Sequence, residues 1–204
     1  MQKFVQVVCF SLTCVAAAIV APGAAITESA IKSSVNTSSL PEKKRTHLGL
    51  YLTAKDAASV LQRHKDVVLL DVRTPEETMF VGYPKAAAAN IPLKFVDTSY
   101  KLDQKKGIYK LIPNRDFVAS VQAFLKTPTG KGAKTILVMC RSGTRSAQAV
   151  NLLMKEGGLS NIYSVVDGFE GDKDSNGNRT VNGWKNSGAA WTEKVRPSFS
   201  VHGN

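Results

Sequence analysis

A three-layer α/β fold, with a mainly parallel sheet and helices on both faces, is predicted by two observations. Short continuous apolar runs recur along the chain at Val67 to Leu70, Thr135 to Met139 and Ile162 to Val166. Such runs are what strands buried on both faces require. Between them lie segments with apolar residues at three- and four-residue spacing and recognisable helix starts, and strands alternating with helices close into parallel sheets.

The first element is a short strand over Leu48 to Leu52, followed by Thr53 with Asp56 three residues later. That pair resembles a capping box and predicts a helix with Ala57, Val60 and Leu61 on its inner face. Val67 to Leu70 is the second strand, ending in Asp71-Val72-Arg73. Thr74-Pro75-Glu76-Glu77 supplies an N-cap, a proline at the first helical position and a carboxylate at the third, so a short helix starts there. It stops before Gly82-Tyr83-Pro84, and Ala86 to Ile91 forms another short strand closed by Pro92. Lys94 to Pro113 is polar, basic and aperiodic, an irregular excursion. Asn114 then caps a helix whose stripe is Phe117, Val118, Val121, Phe124 and Leu125. Thr127-Pro128-Thr129-Gly130 ends it.

The strand Thr135 to Met139 delivers Cys140 at its C-terminal end, into the polar loop Arg141-Ser142-Gly143-Thr144-Arg145-Ser146. Ala147, Val150, Leu153 and Met154 follow at helical spacing, with Ser146 as a cap and Gly157 as a terminator. A strand-to-helix turn of this kind aims backbone N–H groups and a positive helix end at one point. Arg141 and Arg145 add two permanent charges, so a thiolate is favoured there and anionic substrates are attracted. In open α/β sheets ligands sit outside the carboxyl ends of the strands, where Asp71, Arg73 and Cys140 all fall.

The chain is 204 residues with a formal net charge of +11, 43% hydrophobic and 21% charged residues, which fits one soluble domain with extensions. Its basic balance suits anionic small molecules, acidic proteins or a membrane surface. Lysine and arginine are scattered without an aromatic-interleaved stripe, so no nucleic-acid partner is expected. Lys3, the apolar run from Val5 to Val20 and Gly23-Ala24-Ala25 make residues 1–25 a signal peptide. The mature protein then starts near Ile26, is periplasmic or secreted, and has no stable membrane insertion. A retained anchor is the competing reading. Residues 26–47 read as a flexible linker, 48–192 as the domain and 193–204 as a C-terminal tail.

Signal removal takes away Cys9 and Cys14 and leaves Cys140 without a disulfide partner. A free thiol persists in an oxidising compartment when it is buried or used, and the loop after it favours use. His47, His64 and His202 are scattered without zinc spacing. Asp172, Asp174, Asn176 and Asn178, with Gly177 at the sixth position, match the first part of a calcium loop. Gly183 stands where the bidentate glutamate belongs, so calcium is a weak expectation and a solvated Asx-turn loop the commoner outcome. No other cofactor is expected.

Four segments, in order, resemble the rhodanese-like domain across residues 48 to 192. They are Leu70-Asp71-Val72-Arg73-Thr74-Pro75-Glu76-Glu77, Ala89-Asn90-Ile91-Pro92, Val138 to Ser146, and Val166-Asp167-Gly168-Phe169 with Trp184 and Gly188 downstream. The resemblance implies a sulfurtransferase in which the Cys140 thiolate takes the outer sulfur of a donor such as thiosulfate. It holds that sulfur as a covalent persulfide and passes it to cyanide or a protein thiol. By the family pattern, backbone donors from Arg141 to Ser146 form the persulfide cradle, Arg141 and Arg145 hold the donor's oxyanion, and Asp71 and Arg73 orient the loop or form a structural ion pair.

Two alternatives compete. One is a sulfur-carrier or redox-interaction module that serves a protein partner without turnover of its own. The other is a cysteine phosphatase or arsenate reductase; those place an arginine one position later, where this chain has Ser146, and the tighter loop suits a sulfane sulfur better.

Overall fold

The computed structural model describes residues 31–200, and the signal-peptide segment lies outside the described residues. The chain opens with two 3₁₀ turns, Thr37–Ser39 and Glu42–Lys44, and reaches β1 (Tyr51–Leu52). Helix α1 (Ala54–Arg63) starts where the sequence predicts: Thr53 Oγ1 accepts from the Asp56 N–H, 3.1 Å away, and donates to the Asp56 carboxylate at 2.6 Å. Strand β2 (Val67–Asp71) leads to α2 (Pro75–Val81), whose capping box between Thr74 and Glu77 is complete. Next come β3 (Tyr83–Pro84) and β4 (Ala87–Asn90).

The irregular excursion folds into a hairpin arm of β5 (Lys94–Val96), β6 (Leu102–Asp103), β7 (Ile108–Tyr109) and β8 (Leu111–Pro113). Here β5 pairs with β8 and β6 with β7, all antiparallel. Helix α3 (Phe117–Phe124) precedes β9 (Thr135–Met139), α4 (Thr144–Gly157), β10 (Ile162–Val165) and the edge pair of β11 (Trp191–Thr192) with β3.

The central sheet has the order β1-β10-β9-β2-β4 and is parallel throughout. Strict alternation sorts its strands between two cores. Val68, Leu70, Ile136 and Val138 face α3 and α4, in the cluster that also holds Cys140. Val67, Leu69, Leu137 and Met139 face α1 and the C-terminal segment through Trp184 and Phe199. With both faces covered, these strands have no solvated side, which is why they read as unbroken apolar runs.

Four local expectations change. Asn114 is not the N-cap of α3. Its Oδ1 accepts from the Asp116 N–H at 3.0 Å in a turn ahead of the helix, which begins at Phe117. Helix α4 closes on Gly158, in the left-handed region at φ 68°, one residue beyond Gly157. Residues 31–47, expected as a flexible linker, are strapped to the domain. Leu40, Lys44 and Thr46 are buried, Ser34 N–H donates to Tyr51 O at 3.0 Å, and the Tyr163 hydroxyl donates to Ile31 O at 2.5 Å. Polar composition hid this because the strap is held by hydrogen bonds of its backbone and of Ser33, Ser34 and Lys44 with residues distant in sequence, with no apolar period to mark it. The tail from residue 193 also packs: Phe199 is buried and stacks on Tyr83 with ring centroids 3.8 Å apart. Among the described residues, no helix is long and apolar enough to cross a membrane.

Candidate active site

Strand β9 ends at Met139, so Cys140 begins the turn into α4, and its thiol is the free cysteine of the described residues. Cys140 is 1% exposed. Its Sγ accepts the Gly143 N–H at 3.2 Å, and its own N–H donates to Ser146 Oγ at 2.8 Å. Ser146, expected as a helix cap, therefore closes the loop from within. The helix itself starts two residues earlier at Thr144, with Gly143 at its N-cap. The first N–H groups of α4 lack intrahelical carbonyls and lie in the same turn as the thiol.

The curvature of the loop depends on glycine. Gly143 has φ 97°, and a Cβ there would lie 2.0 Å from Val166 O. On the facing turn Gly168 has φ 65°, and its Cβ would lie 2.4 Å from Cys140 O. No larger residue fits either position without displacing backbone. Phe169 N–H donates to Cys140 O at 2.8 Å and Glu170 N–H to Arg141 O at 2.9 Å, so the turn after β10 is stitched to the cysteine loop.

The two loop arginines differ in their surroundings. Arg145 forms a bidentate pair with Glu77, Nη1 to Oε2 at 2.6 Å and Nη2 to Oε1 at 2.5 Å, with side chains 12% and 20% exposed respectively. Burial raises the Glu77 pKa, but Arg145's hydrogen bonds and charge outweigh that and hold it below the ordinary value. Arg145 is correspondingly held charged. Its expected role as an oxyanion clamp is thus displaced by an ion pair that ties α4 to α2. Arg141 is half-buried and has no ion-pair partner among the described residues. Of the two, Arg141 is the cation open to an anionic donor.

Asp71 and Arg73 form a fully buried pair, Nη2 to Oδ2 at 2.6 Å, and Arg73 Nη2 also donates to Gly82 O at 2.8 Å. The Arg73 guanidinium lies 4.2 Å from the centroid of the Phe169 ring, a cation–π contact. Phe169 in turn holds Cys140 O, so this pair reaches the loop through one intermediary and does not touch the sulfur. Asn90 Nδ2 bridges Asp71 O and Arg73 O, both at 2.9 Å, which fixes the second and first sequence segments to each other.

The two carboxylates of the calcium-loop segment accept hydrogen bonds from protein donors. Asp172 pairs with Lys44 Nζ at 2.9 Å and with Asn182 Nδ2 at 3.1 Å. Asp174 accepts the N–H groups of Asn176 and Asn178, both at 2.9 Å. Among the described residues no group of three or more histidine, cysteine or acidic side chains is placed to hold a metal. The segment is an Asx-turn loop, with its carboxylates occupied by protein donors.

Sequence reasoning missed Glu77 and Gly168 as site residues. Glu77 was accounted for as the third residue of a capping box, which it also is, since Thr74 N–H donates to its Oε2 at 3.0 Å. The available signal for Gly168 was its place in the closing segment Val166-Asp167-Gly168-Phe169. Two cavities flank the loop and share Thr144 as a ridge. One of about 660 Å³ runs beneath the hairpin arm to Arg141 and Arg145. The other, of about 900 Å³, opens on the opposite side along Ser142.

Comparison with known proteins agrees with this geometry. The rhodanese-like domain family model matches residues 53–175. The uncharacterized protein RC0915 of Rickettsia conorii is 33% identical over 135 residues, covering 66% of this chain and 90% of that protein. The uncharacterized protein RP600 of Rickettsia prowazekii is 32% identical over the same length, with the same shares. Among solved structures, Rv0390 from M. tuberculosis superposes with a TM-score of 0.53 at 27% identity, covering 70% of this chain and 96% of that one. With a parallel five-stranded sheet, a cysteine at the strand-to-helix turn and a family match over more than half its length, the chain belongs to the rhodanese-like domain family.

Proposed function

We propose that the protein is an exported sulfurtransferase that carries sulfane sulfur as a persulfide on Cys140. The carrying observation is the sulfur's own environment: Cys140 Sγ accepts the Gly143 N–H inside a loop locked by Ser146, with the start of α4 beside it. A terminal sulfur added to Sγ is an anion, and unpaired backbone N–H groups at a helix start stabilise an anion without a resident cofactor.

In the first half-reaction the Cys140 thiolate attacks the outer sulfur of thiosulfate or a related donor. The S–S bond of the donor breaks and sulfite leaves with its electron pair. Arg141 offsets the donor's charge during the approach. In the second, a thiophilic acceptor attacks the terminal sulfur and the thiolate is restored. The phosphatase reading is disfavoured because Arg145 is committed to Glu77. A periplasmic or secreted location is the part of this proposal supported by Lys3, the apolar run from Val5 to Val20 and the small residues Gly23-Ala24-Ala25.

The test is intact-mass measurement after incubation with thiosulfate, then addition of cyanide with thiocyanate read out. Wild type gains one sulfur and loses it to cyanide, and Cys140→Ser gains none. Equal sulfur gain in the serine variant refutes the proposal. Sulfur gain with no discharge to cyanide identifies a carrier that delivers to a protein thiol.

A further inference from the structure

The 3₁₀ turn Glu42–Lys44 lies ahead of the stretch matched by the rhodanese-like family model, which begins at residue 53. Membership of the family therefore gives this turn no role. It nevertheless places a lysine in the interior. The Lys44 side chain is 10% exposed, and its Nζ donates to Asp172 Oδ1 at 2.9 Å. The Asp172 side chain is 46% exposed, and an ion pair with so wet a partner is too weak to account for burying a lysine.

The contact that uses the burial is made by the lysine stem. A Cβ built on Gly143 would lie 2.0 Å from Val166 O and 3.2 Å from Lys44 Cδ. Carbonyl and stem thus close over the same face of Gly143, where a side chain would otherwise stand. Gly143 is the residue whose N–H reaches the Cys140 sulfur at 3.2 Å. With no side chain of its own, it is positioned by what packs against it. The strap also backs the carbonyl, because Leu40 shares a buried cluster with Val166 and Tyr51.

Both ends of the lysine are fixed. On the strap side, Thr46 N–H donates to the Tyr51 hydroxyl at 2.7 Å, and His47 N–H donates to Asn151 Oδ1 on α4 at 2.9 Å. On the ammonium side, Asp172 is held by Asn182, whose Oδ1 accepts the Asp172 N–H at 2.7 Å and whose Nδ2 donates to Asp172 Oδ2 at 3.1 Å. The stem lies between these anchors, against the cysteine loop.

We propose that Lys44 is a positioning residue for sulfur transfer, whose stem holds the Gly143 N–H on the Cys140 sulfur. The assignment rests on the persulfide reading above and extends the site to a segment outside the family match. Lys44 makes and breaks no bond. The N–H that it holds favours Cys140 as thiolate, which is the attacking form when sulfur is loaded and the leaving group when sulfur is discharged.

The test separates stem from charge. Lys44→Met keeps an unbranched stem of similar reach and discards the ion pair, whereas Lys44→Ala discards both. Persulfide loading is followed by intact mass over a range of thiosulfate concentrations. Lys44→Ala should lower the saturating rate about tenfold, the scale of one hydrogen bond to a charged group, with the half-saturating concentration within about twofold. Lys44→Met should stay within about twofold of wild type in both. Asp172→Asn leaves strap and loop intact but unpins the ammonium, which is then drawn toward water, and should slow loading about threefold; this half-exposed position decides the matter if Lys44→Ala fails to fold.

A second readout needs no sulfur chemistry. In reduced protein labelled with nitrogen-15, the Gly143 amide proton should move upfield in Lys44→Ala, in the direction set by Cys140→Ala, which removes the acceptor. In Lys44→Met it should stay in place. An unmoved resonance and unchanged loading in Lys44→Ala, Lys44→Met as slow as Lys44→Ala, or a loss confined to half-saturation overturns the inference, while persulfide loading of wild type leaves the sulfurtransferase reading standing. Absence of persulfide in wild type overturns that reading, and the Gly143 resonance still decides whether Lys44 holds the loop.

Discussion

Replacing Glu77 by glutamine separates two duties of one side chain. Glutamine at the third helical position still accepts the Thr74 N–H, so the capping box survives, but the charge facing Arg145 is gone. Breaking a fully buried ion pair by removing one partner costs about 3–5 kcal/mol, and exposed pairs are worth under about 1 kcal/mol. With side chains 12% and 20% exposed, the Arg145–Glu77 pair falls between these limits, so Glu77→Gln should cost about 2 kcal/mol. For a chain of this size that is a drop of roughly 4–8 °C in Tm. Glu77→Ala also removes the cap and should cost about 1 kcal/mol more. Calorimetric melting of the single variants, Arg145→Gln and the double variant Glu77→Gln/Arg145→Gln should show a coupling of about 1–2 kcal/mol. Because Arg145 sits in the cysteine loop, persulfide loading by thiosulfate should slow in parallel with the loss of stability. Unchanged Tm in Glu77→Gln, or Arg145→Gln that alters only the thiosulfate dependence, would refute the bracing role and return Arg145 to the donor.

Other consequences are accessible to the same methods. Gly143→Ala should abolish persulfide formation and destabilise the fold by more than about 2 kcal/mol, because its Cβ would lie 2.0 Å from Val166 O; retention of loading at the wild-type rate contradicts this. Ser146→Ala leaves the buried Cys140 N–H without its acceptor and should cost about 1–3 kcal/mol, seen by denaturant melting. Phe199→Ala should cost about 3–5 kcal/mol, since this ring is buried and stacked on Tyr83, whereas a free tail would tolerate it. The Glu77 pKa is depressed in the folded protein, so its contribution is complete above the ordinary value of 4.5 and is lost as pH falls through the folded value. Asp167, raised chiefly by burial, acts in the opposite sense, favouring the fold at low pH and losing that contribution as pH rises through its folded value. Acid melting of wild type should therefore be steeper below pH 4.5 than that of Glu77→Gln, and parallel profiles would contradict the assignment.

Much of the fold was legible because its signals are local. Thr53 with Asp56, and Thr74 with Pro75 and Glu77, mark helix starts through bonds spanning three residues, and the apolar runs mark strands covered on both faces. The hairpin arm was not legible. Its strands are two or three residues long, and pairs such as Lys94 with Pro113 join residues far apart in sequence without any alternation to announce them. The strap over residues 31–47 escaped for a related reason, since Lys44 finds its carboxylate at Asp172, across nearly the whole domain sequence. Within the site, Cys140 was marked by its position after a strand. Arg145 was identified correctly as a charged loop residue, but its occupation depends on Glu77, 68 residues away, and a sequence does not display which of two arginines is already paired.

The interlock between the cysteine loop and the turn at Val166 to Phe169 means that the cradle is moulded from outside. Gly143 lies against Val166 O, Gly168 lies against Cys140 O, and Phe169 N–H fixes the same carbonyl. The room available to a bound group is accordingly templated by a different strand end from the one that carries the nucleophile. An inserted residue between Cys140 and Arg145 would give the loop a phosphatase's length, yet it would still press on an unaltered mould. Interconversion of sulfur and oxyanion chemistry in this scaffold therefore demands matched changes in two separate stretches of sequence.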